Sequence, residues 1–388
     1  MKIAQICTNA MSGSVGKIAR DLSLSLIARG HESVVCYSRG KDYNNHAFKF
    51  GNKLEIYNHA LLARLFDSDG LYSKKATGDL IEFLKQYKPD IVHLHCLHGY
   101  YLNYPMLFKY LKNKLTVWTM HDCWAYTGHC AFYDFEGCNK WVEGCNNCPQ
   151  KGAYPKSIVL DGSKRNYEIK KKIFNTIPKK NLKIVTPSAW LKNELEKSFL
   201  SKYKISVINN EIDYSVFKPD ESSQRRKIIL GVANIWDRRK GLNDFIELSK
   251  QIPENYKILI VGASKKQIKE LKKYNIFAVS RTTDQYELAE LYRTSTILFN
   301  PTYEDNYPTV NIEAIACGLP VVTYATGGSP ELVKNTGMGK VIKKKDYKEV
   351  IDYLDAAFSR KTNRVIVGKQ NMADMYISLY EQMLRRQE

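Results

Sequence analysis

The chain reads as an α/β protein built from two doubly wound parallel-sheet domains, and three observations predict it. At 388 residues, 44% of them hydrophobic and 26% charged, it exceeds what a single core usually organises. Short apolar runs rich in β-branched residues alternate with amphipathic stretches from the first residues onward. That is the pattern of βα units whose parallel strands are covered by helices on both faces. The alternation breaks at Phe217-Lys218-Pro219 and the polar segment Asp220 to Lys227, then begins again.

In the first half KIAQIC is a strand, a helix follows near Gly16 to Arg29, and Gly30-His31 hands over to the strand ESVVCYS. Pro89-Asp90 ends a helix ahead of the strand Ile91 to Leu94, LTVWTMH is the next strand, and LKIVTPS with a helix from Ala189 closes this half. After the linker-like Asp220 to Lys227, the runs KIILGVA, YKILIVG, IFAVS, TSTILFN and LPVVTYA are strands separated by helix-length segments. The expected domains are 1–208, with a cysteine-rich insertion at 123–150, and 209–370, while a closing helix over 371–388 packs back on the first. No period of repeat-array length is present.

The net charge of +19 admits nucleic acid, an anionic membrane surface or phosphorylated substrates as partners. No nucleic-acid-binding signature accompanies it, so nucleic acid is not expected. No run approaches the roughly 18 to 20 apolar residues of a membrane span, and the N-terminus lacks the apolar core of a signal peptide. The expectation is a cytoplasmic protein, peripheral on the inner face of the membrane at most. Nine cysteines in such a chain favour free thiols or metal ligation over disulfides.

The most informative segment runs from Asn300 to Val322. A strand enters, a loop bears Glu304 and Asp305, and a helix opens at Thr309-Val310. Free N–H groups and the helix dipole favour a phosphate at such a place. Glu313, inside the helix, can accept hydrogen bonds from a ribose diol, although an acidic capping loop with a solvated glutamate has the same residues. At the end of KIILGVA stand Arg238, Arg239 and Lys240, cations suited to a diphosphate leaving group, with a solvated basic turn as the plain alternative. Gly327-Gly328 allows close backbone approach ahead of a further helix. In the first half Gly16 lies in the Ser12 to Lys17 connection after the first strand, which is not the G-x-G-x-x-G of a dinucleotide site. His121 ends the strand LTVWTM, and His95 ends the one before it.

Five cysteines fall within 26 residues: Cys123, Cys130, Cys138, Cys145 and Cys148. Cys130, Cys138, Cys145 and Cys148, the last two a C-x-x-C pair, can close a tetrahedral zinc site that orders a segment poor in aliphatic residues. Free thiols and an iron–sulfur cluster are the other readings.

The Asp305 to Glu313 spacing and the trailing A-C-G-x-P-V-V resemble the E-x7-E region of the family-four retaining glycosyltransferases, with Asp where the family has its first Glu. The resemblance implies the GT-B fold, two Rossmann-like halves facing a cleft, and a nucleotide diphosphate sugar as donor. It implies that Asp305 or Glu304 contacts the transferred sugar, Glu313 the ribose, and Lys240 with Arg238 or Arg239 the diphosphate. The glycine loops at Gly16 and at Gly327-Gly328 would border the donor, and His121 would face the reacting carbon. HDCW-A-x-T-G-H-C followed by C-P-Q resembles a subset of polysaccharide-synthesis transferases, which implies a saccharide or lipid-linked saccharide acceptor. No catalytic metal is expected, because the basic cluster supplies the charge. Two other classes fit the same residues: a nucleotide-sugar epimerase of the same fold, and a non-catalytic zinc-containing scaffold.

Overall fold

A computed structural model describes residues 1–10, 13–40, 46–360 and 371–386. Ser12, the end of the second expected domain (361–370) and the last two residues of the closing helix lie outside them. The chain forms two compact units, one of residues 1–209 with the C-terminal helix, the other beginning at Asn210.

The first unit holds seven strands, β1 (Lys2–Asn9), β2 (Glu32–Arg39), β3 (Ala47–Lys49), β4 (Ile91–Leu94), β5 (Thr116–Thr119), β6 (Leu182–Thr186) and β7 (Lys204–Val207). They lie in the order β3-β2-β1-β4-β5-β6-β7, all parallel. Successive side chains go to opposite faces, so both must be apolar in a sheet covered on both sides. Ala4, Trp118 and Ile184 accordingly pack into one core with Leu80, Leu84 and Phe174. Ile3, Val117 and Val185 pack into the other, with Leu22 and Leu26 of the helix Gly13–Ala28 and Tyr376, Tyr380 and Met383 of the helix Met372–Leu384. That last helix is also fastened by polar contacts, Tyr376 Oη to Thr119 at 2.8 Å and Tyr380 Oη to His93 Nδ1 at 2.7 Å.

The second unit holds β8 (Ile228–Val232), β9 (Lys257–Val261), β10 (Phe277–Val279), β11 (Ile297–Asn300), β12 (Val321–Tyr324) and β13 (Gly339–Ile342), in the parallel order β10-β9-β8-β11-β12-β13. Ile229, Phe299 and Val322 face one core, and Leu230, Leu298 and Val321 the other. Val216 and Phe217, at the near edge of the stretch that reads as linker, are buried in this unit. The aromatic ring of Phe217 packs against Tyr292, which the polar residues around it concealed.

Strand order reverses between β1 and β4 in the first unit and between β8 and β11 in the second. In open parallel sheets, the crevice beyond the carboxyl ends of strands at such a reversal is where ligands bind.

Candidate active site

In the second unit the residues singled out by sequence gather at that reversal. Lys240, in the short turn Arg238–Lys240 after β8, forms an ion pair with Asp305 in the loop after β11. Glu304 is 1% exposed, whereas the Asp305 side chain keeps 17% of its surface. Arg239 is gripped by Asp237 through Nε at 3.1 Å and a second guanidinium nitrogen at 2.9 Å, while Arg238 is exposed.

These loops are stitched to one another. The Tyr303 N–H donates to the Arg239 carbonyl at 2.7 Å, Gly328 N–H to the Asp305 carbonyl at 3.1 Å, and Thr326 Oγ1 to the Thr302 carbonyl at 2.6 Å. Gly327 has φ +52°, and a Cβ there would stand 2.0 Å from the Asp305 carbonyl oxygen, so only glycine lets the loop after β12 come this close. Gly241 (φ +71°) meets the same limit against the Pro301 carbonyl, at 2.3 Å.

Beneath them lies a contact that the sequence does not announce. Asp244 is 3% exposed and accepts hydrogen bonds from Tyr324 at 2.5 Å, Tyr347 at 3.0 Å and Tyr303 at 3.1 Å. One carboxylate thereby anchors the residue preceding Glu304 and Asp305. Three charge-assisted hydrogen bonds offset the cost of its burial.

The helix Thr309–Ala316 starts after Pro308, which offers no side-chain cap, so the first-turn N–H groups of Thr309 and Val310 are available to an anion. Glu313, one turn in, accepts a hydrogen bond from the buried Tyr292 at 2.9 Å. Burial pushes the Tyr292 hydroxyl well up in pKa, and the Glu313 charge adds to the effect, so it stays a donor that fixes the carboxylate.

In the first unit, Gly16 is not in the connecting loop. The helix begins three residues earlier than the sequence suggests, at Gly13, and Gly16 is buried within its first turns. His121 and His95 are joined, His95 Nδ1 to His121 Nε2 at 3.0 Å, and His95 Nε2 meets Gln5 Oε1 at 3.0 Å. Gln5 donates its amide to the Ala19 carbonyl at 2.9 Å, so its oxygen faces the imidazole. Burial lowers both rings, His121 to about 4, and each is neutral near pH 7. Gln5 Oε1 then accepts a hydrogen bond from His95 Nε2–H, and His121 donates from Nε2 to His95 Nδ1. His93 is a structural histidine, filled on both nitrogens by Thr119 and Tyr380. His98 pairs with Asp122 at 2.6 Å. Burial alone would lower that ring, but the carboxylate outweighs it and holds the pKa well above its ordinary value.

None of the nine cysteines is in a disulfide. Cys130, Cys138, Cys145 and Cys148 line one small cavity, together with His129 and Trp141. Among the described residues the metal-type donors that gather within 4.8 Å are Cys96, His98 and Asp122, not this quartet. Lys170 fastens the insertion to the unit, donating to the carbonyls of Trp124 at 2.7 Å and Thr127 at 3.1 Å, and burial lowers its pKa to about 7.

Two doubly wound parallel-sheet units on one chain, each with a strand-order reversal, follow the GT-B plan of sugar-transferring enzymes. The model described as Glycosyltransferase Family 4 matches residues 15–216 and that of Glycosyl transferases group 1 matches 215–381, and the chain belongs to Glycosyltransferase Family 4. It is a glycosyltransferase of the hexosyltransferase type. Over 99% of its length it is 24% identical to the whole of WcaC of Escherichia coli (strain K12), named for colanic acid biosynthesis. Sucrose-phosphate synthase from Thermosynechococcus elongatus shares its fold with a TM-score of 0.70 at 16% identity, each chain covered in full. Anabaena HepE, solved with UDP-glucose, has a TM-score of 0.62 at 14% identity, covering 100% of this chain and 99% of its own.

Proposed function

We propose that the enzyme is a retaining transferase of surface polysaccharide biosynthesis that moves a sugar from a nucleoside diphosphate onto a lipid-linked saccharide. The observation that carries this reading is the Lys240–Asp305 pair at the reversal point, beside a helix whose N-terminus is open and whose Glu313 is fixed by Tyr292. Lys240, with Arg238 and Arg239 on the same turn, neutralises the departing diphosphate, and the N–H groups of Thr309 and Val310 take its oxygens. Glu313 holds the ribose hydroxyls. Asp305 holds the sugar hydroxyls, and buried Glu304 supports the loop. Gly327 and Gly328 keep backbone close to the donor, and His121, neutral, is the catalytic candidate that the first unit supplies. The donor phosphate takes the acceptor proton, and no covalent enzyme intermediate is needed. WcaC and the charge of the chain favour a surface polysaccharide, and the UDP-glucose bound by HepE makes a UDP-sugar the first donor to try.

A lipid-linked acceptor requires the membrane surface. Among the described residues no helix is long and apolar enough to cross a membrane. The helix Lys53–Phe66 exposes Leu54 (69%), Tyr57 (71%) and Leu61 (56%), and Ile158 and Val159 emerge beside its last turn, where Ile158 N–H donates to the Arg64 carbonyl at 2.7 Å. Exposed Lys53, Arg64 and Lys156 flank this apolar surface, a composition suited to an anionic bilayer. Sedimentation with vesicles containing anionic lipid should fall about tenfold for Leu61→Asp combined with Val159→Asp. Unchanged sedimentation removes this surface from the reading.

The donor site is tested by thermal shift against UDP, GDP, ADP and their sugar conjugates, with wild type and Glu313→Ala side by side. One nucleotide should stabilise the wild type, and the variant should lose that shift. No shift with any nucleotide overturns the donor site, and donor consumption without acceptor points instead to an epimerase. The cysteine cluster we read as a structural zinc site formed by Cys130, Cys138, Cys145 and Cys148.

A further inference from the structure

His129 lies beside that cluster and is 2% exposed. Its Nδ1 meets Asp67 Oδ1 at 2.5 Å, and its Nε2 is buried with no hydrogen-bond partner. A buried imidazole nitrogen left unsatisfied is costly and rare unless something takes its lone pair. Here the cavity it borders is of the order of 10 Å³, and the thiols of Cys130, Cys138, Cys145 and Cys148 border the same space. We propose that His129 is itself a zinc ligand, and that its Nε2 with Cys130, Cys145 and Cys148 forms the site, with Cys138 outside the coordination sphere. The inference rests on the reading of the cluster as a zinc site and changes which donors make it.

Three features support that choice. Metal-bound histidine almost always donates its other ring N–H to a carboxylate, a backbone carbonyl or water, which fixes the ring and raises its basicity. Asp67 fills that role and is itself immobilised, since its second carboxylate oxygen accepts the Gly162 N–H at 2.8 Å and its carbonyl accepts from Asn166 at 2.5 Å. Backbone N–H groups steady the thiol side as well. Gly128 N–H, adjacent to His129, donates to Cys145 Sγ at 3.1 Å, and Cys148 N–H is held by Asp161 at 2.6 Å. Cys130 follows His129 directly in the chain and borders the same cavity as Cys148. Zinc in a structural site takes four donors, so one of the five must stand aside. Among the described residues Cys138 has neither a thiol hydrogen bond to another donor nor an N–H group on its sulfur.

Each thiol gives its proton to solvent as it binds, so that three thiolates and a neutral imidazole surround the dication. No three of these donors lie within 4.8 Å of one another among the described residues, and zinc binding would draw them inward. The trio Cys96, His98 and Asp122 is closer but less suited, because His98 and Asp122 already satisfy each other at 2.6 Å.

The test uses the full chain, purified from zinc-supplemented cells, with zinc per chain measured by mass spectrometry and affinity by chelator competition. Wild type should hold one zinc. His129→Gln should lose affinity beyond the roughly 10–100-fold that loss of a ligand's hydrogen-bond partner costs, Asp67→Asn should fall within that range, and Cys138→Ser should match wild type. X-ray absorption of the wild type should give three sulfurs near about 2.3 Å and one nitrogen near about 2.0 Å, which decides the matter even where a variant does not fold. Four sulfurs, or zinc kept by His129→Gln and lost by Cys138→Ser, overturns the role of His129 and leaves a four-cysteine site standing. Wild type without zinc overturns both.

Discussion

Lys240 and Asp305 are 65 residues apart in sequence and meet only because β8 and β11 are neighbours. Both side chains keep part of their surface, 24% and 17%, so their attraction is screened and a diphosphate can compete for the lysine. In the proposed mechanism the carboxylate therefore has two opposed effects. At rest it occupies the cation and repels the donor phosphates, and in the reaction it holds the sugar. Lys240→Ala should remove about 2 to 4 kcal/mol of transition-state stabilisation, read as kcat/KM. Asp305→Asn should instead tighten binding of the free nucleoside diphosphate while lowering kcat, a split that calorimetry and steady-state kinetics together would reveal. Near-normal turnover in Lys240→Ala removes the lysine from the mechanism.

At the scale of loops and strands, the residues proposed to hold the donor depend on three connections held in register by their own backbones. Gly327→Ala places a methyl group against the Asp305 carbonyl and should weaken donor affinity well before it unfolds the chain. Comparing the nucleotide-induced thermal shift with the melting temperature of the free protein checks this, and equal losses in both would point to general destabilisation. The strands that position these loops were legible in the sequence, because buried parallel strands are near-continuous apolar runs between helical patterns. β3, β7 and β13 were not, since three or four residues such as Ala47–Lys49 or Gly339–Ile342 carry too little pattern to separate a strand from a loop. Lys240 and Asp305 stood out as charged residues beyond strand ends, and Glu313 by its spacing from Asp305. Tyr292 and Asp244 did not. Each acts through a partner far along the chain, and a tyrosine or aspartate within an ordinary helix gives no local sign of it. In sequence His129 is one letter of a cysteine-rich run, and only the fold brings Asp67 beside it.

At the scale of the whole molecule, the eight histidines all precede residue 130, so the first unit carries every one of them. Burial lowers the pKa of His31, His59, His93, His95 and His121, with His59 and His121 at about 4 and His93 at about 3. Against these five, His98 and His129 are raised by their carboxylate partners despite burial. A ring that is neutral when folded takes up a proton on unfolding between its folded value and the ordinary 6.5. Stability from such rings is fully present above that ordinary value and is lost as the pH falls toward the folded one. The raised rings act in the opposite sense, and five outnumber two. Urea midpoints should thus drop between about pH 6.5 and 5 for the first unit more than for the second. Trp236 is the one tryptophan of the second unit, so fluorescence of Trp236→Phe reports on the first alone. An equal drop in both units would assign the effect to carboxylates. The path of the chain has its own consequence for dissection. It leaves the first unit at Asn209 and is back in it with the helix Met372–Leu384, so the second unit is covalently an insertion within the first. A contiguous excision from Asn210 onward can remove it whole, whereas progressive trimming from the carboxyl end strips a core helix from the other unit first. Activity lost in such a deletion series would report on the sheet that carries His121 and say nothing about Lys240 or Glu313.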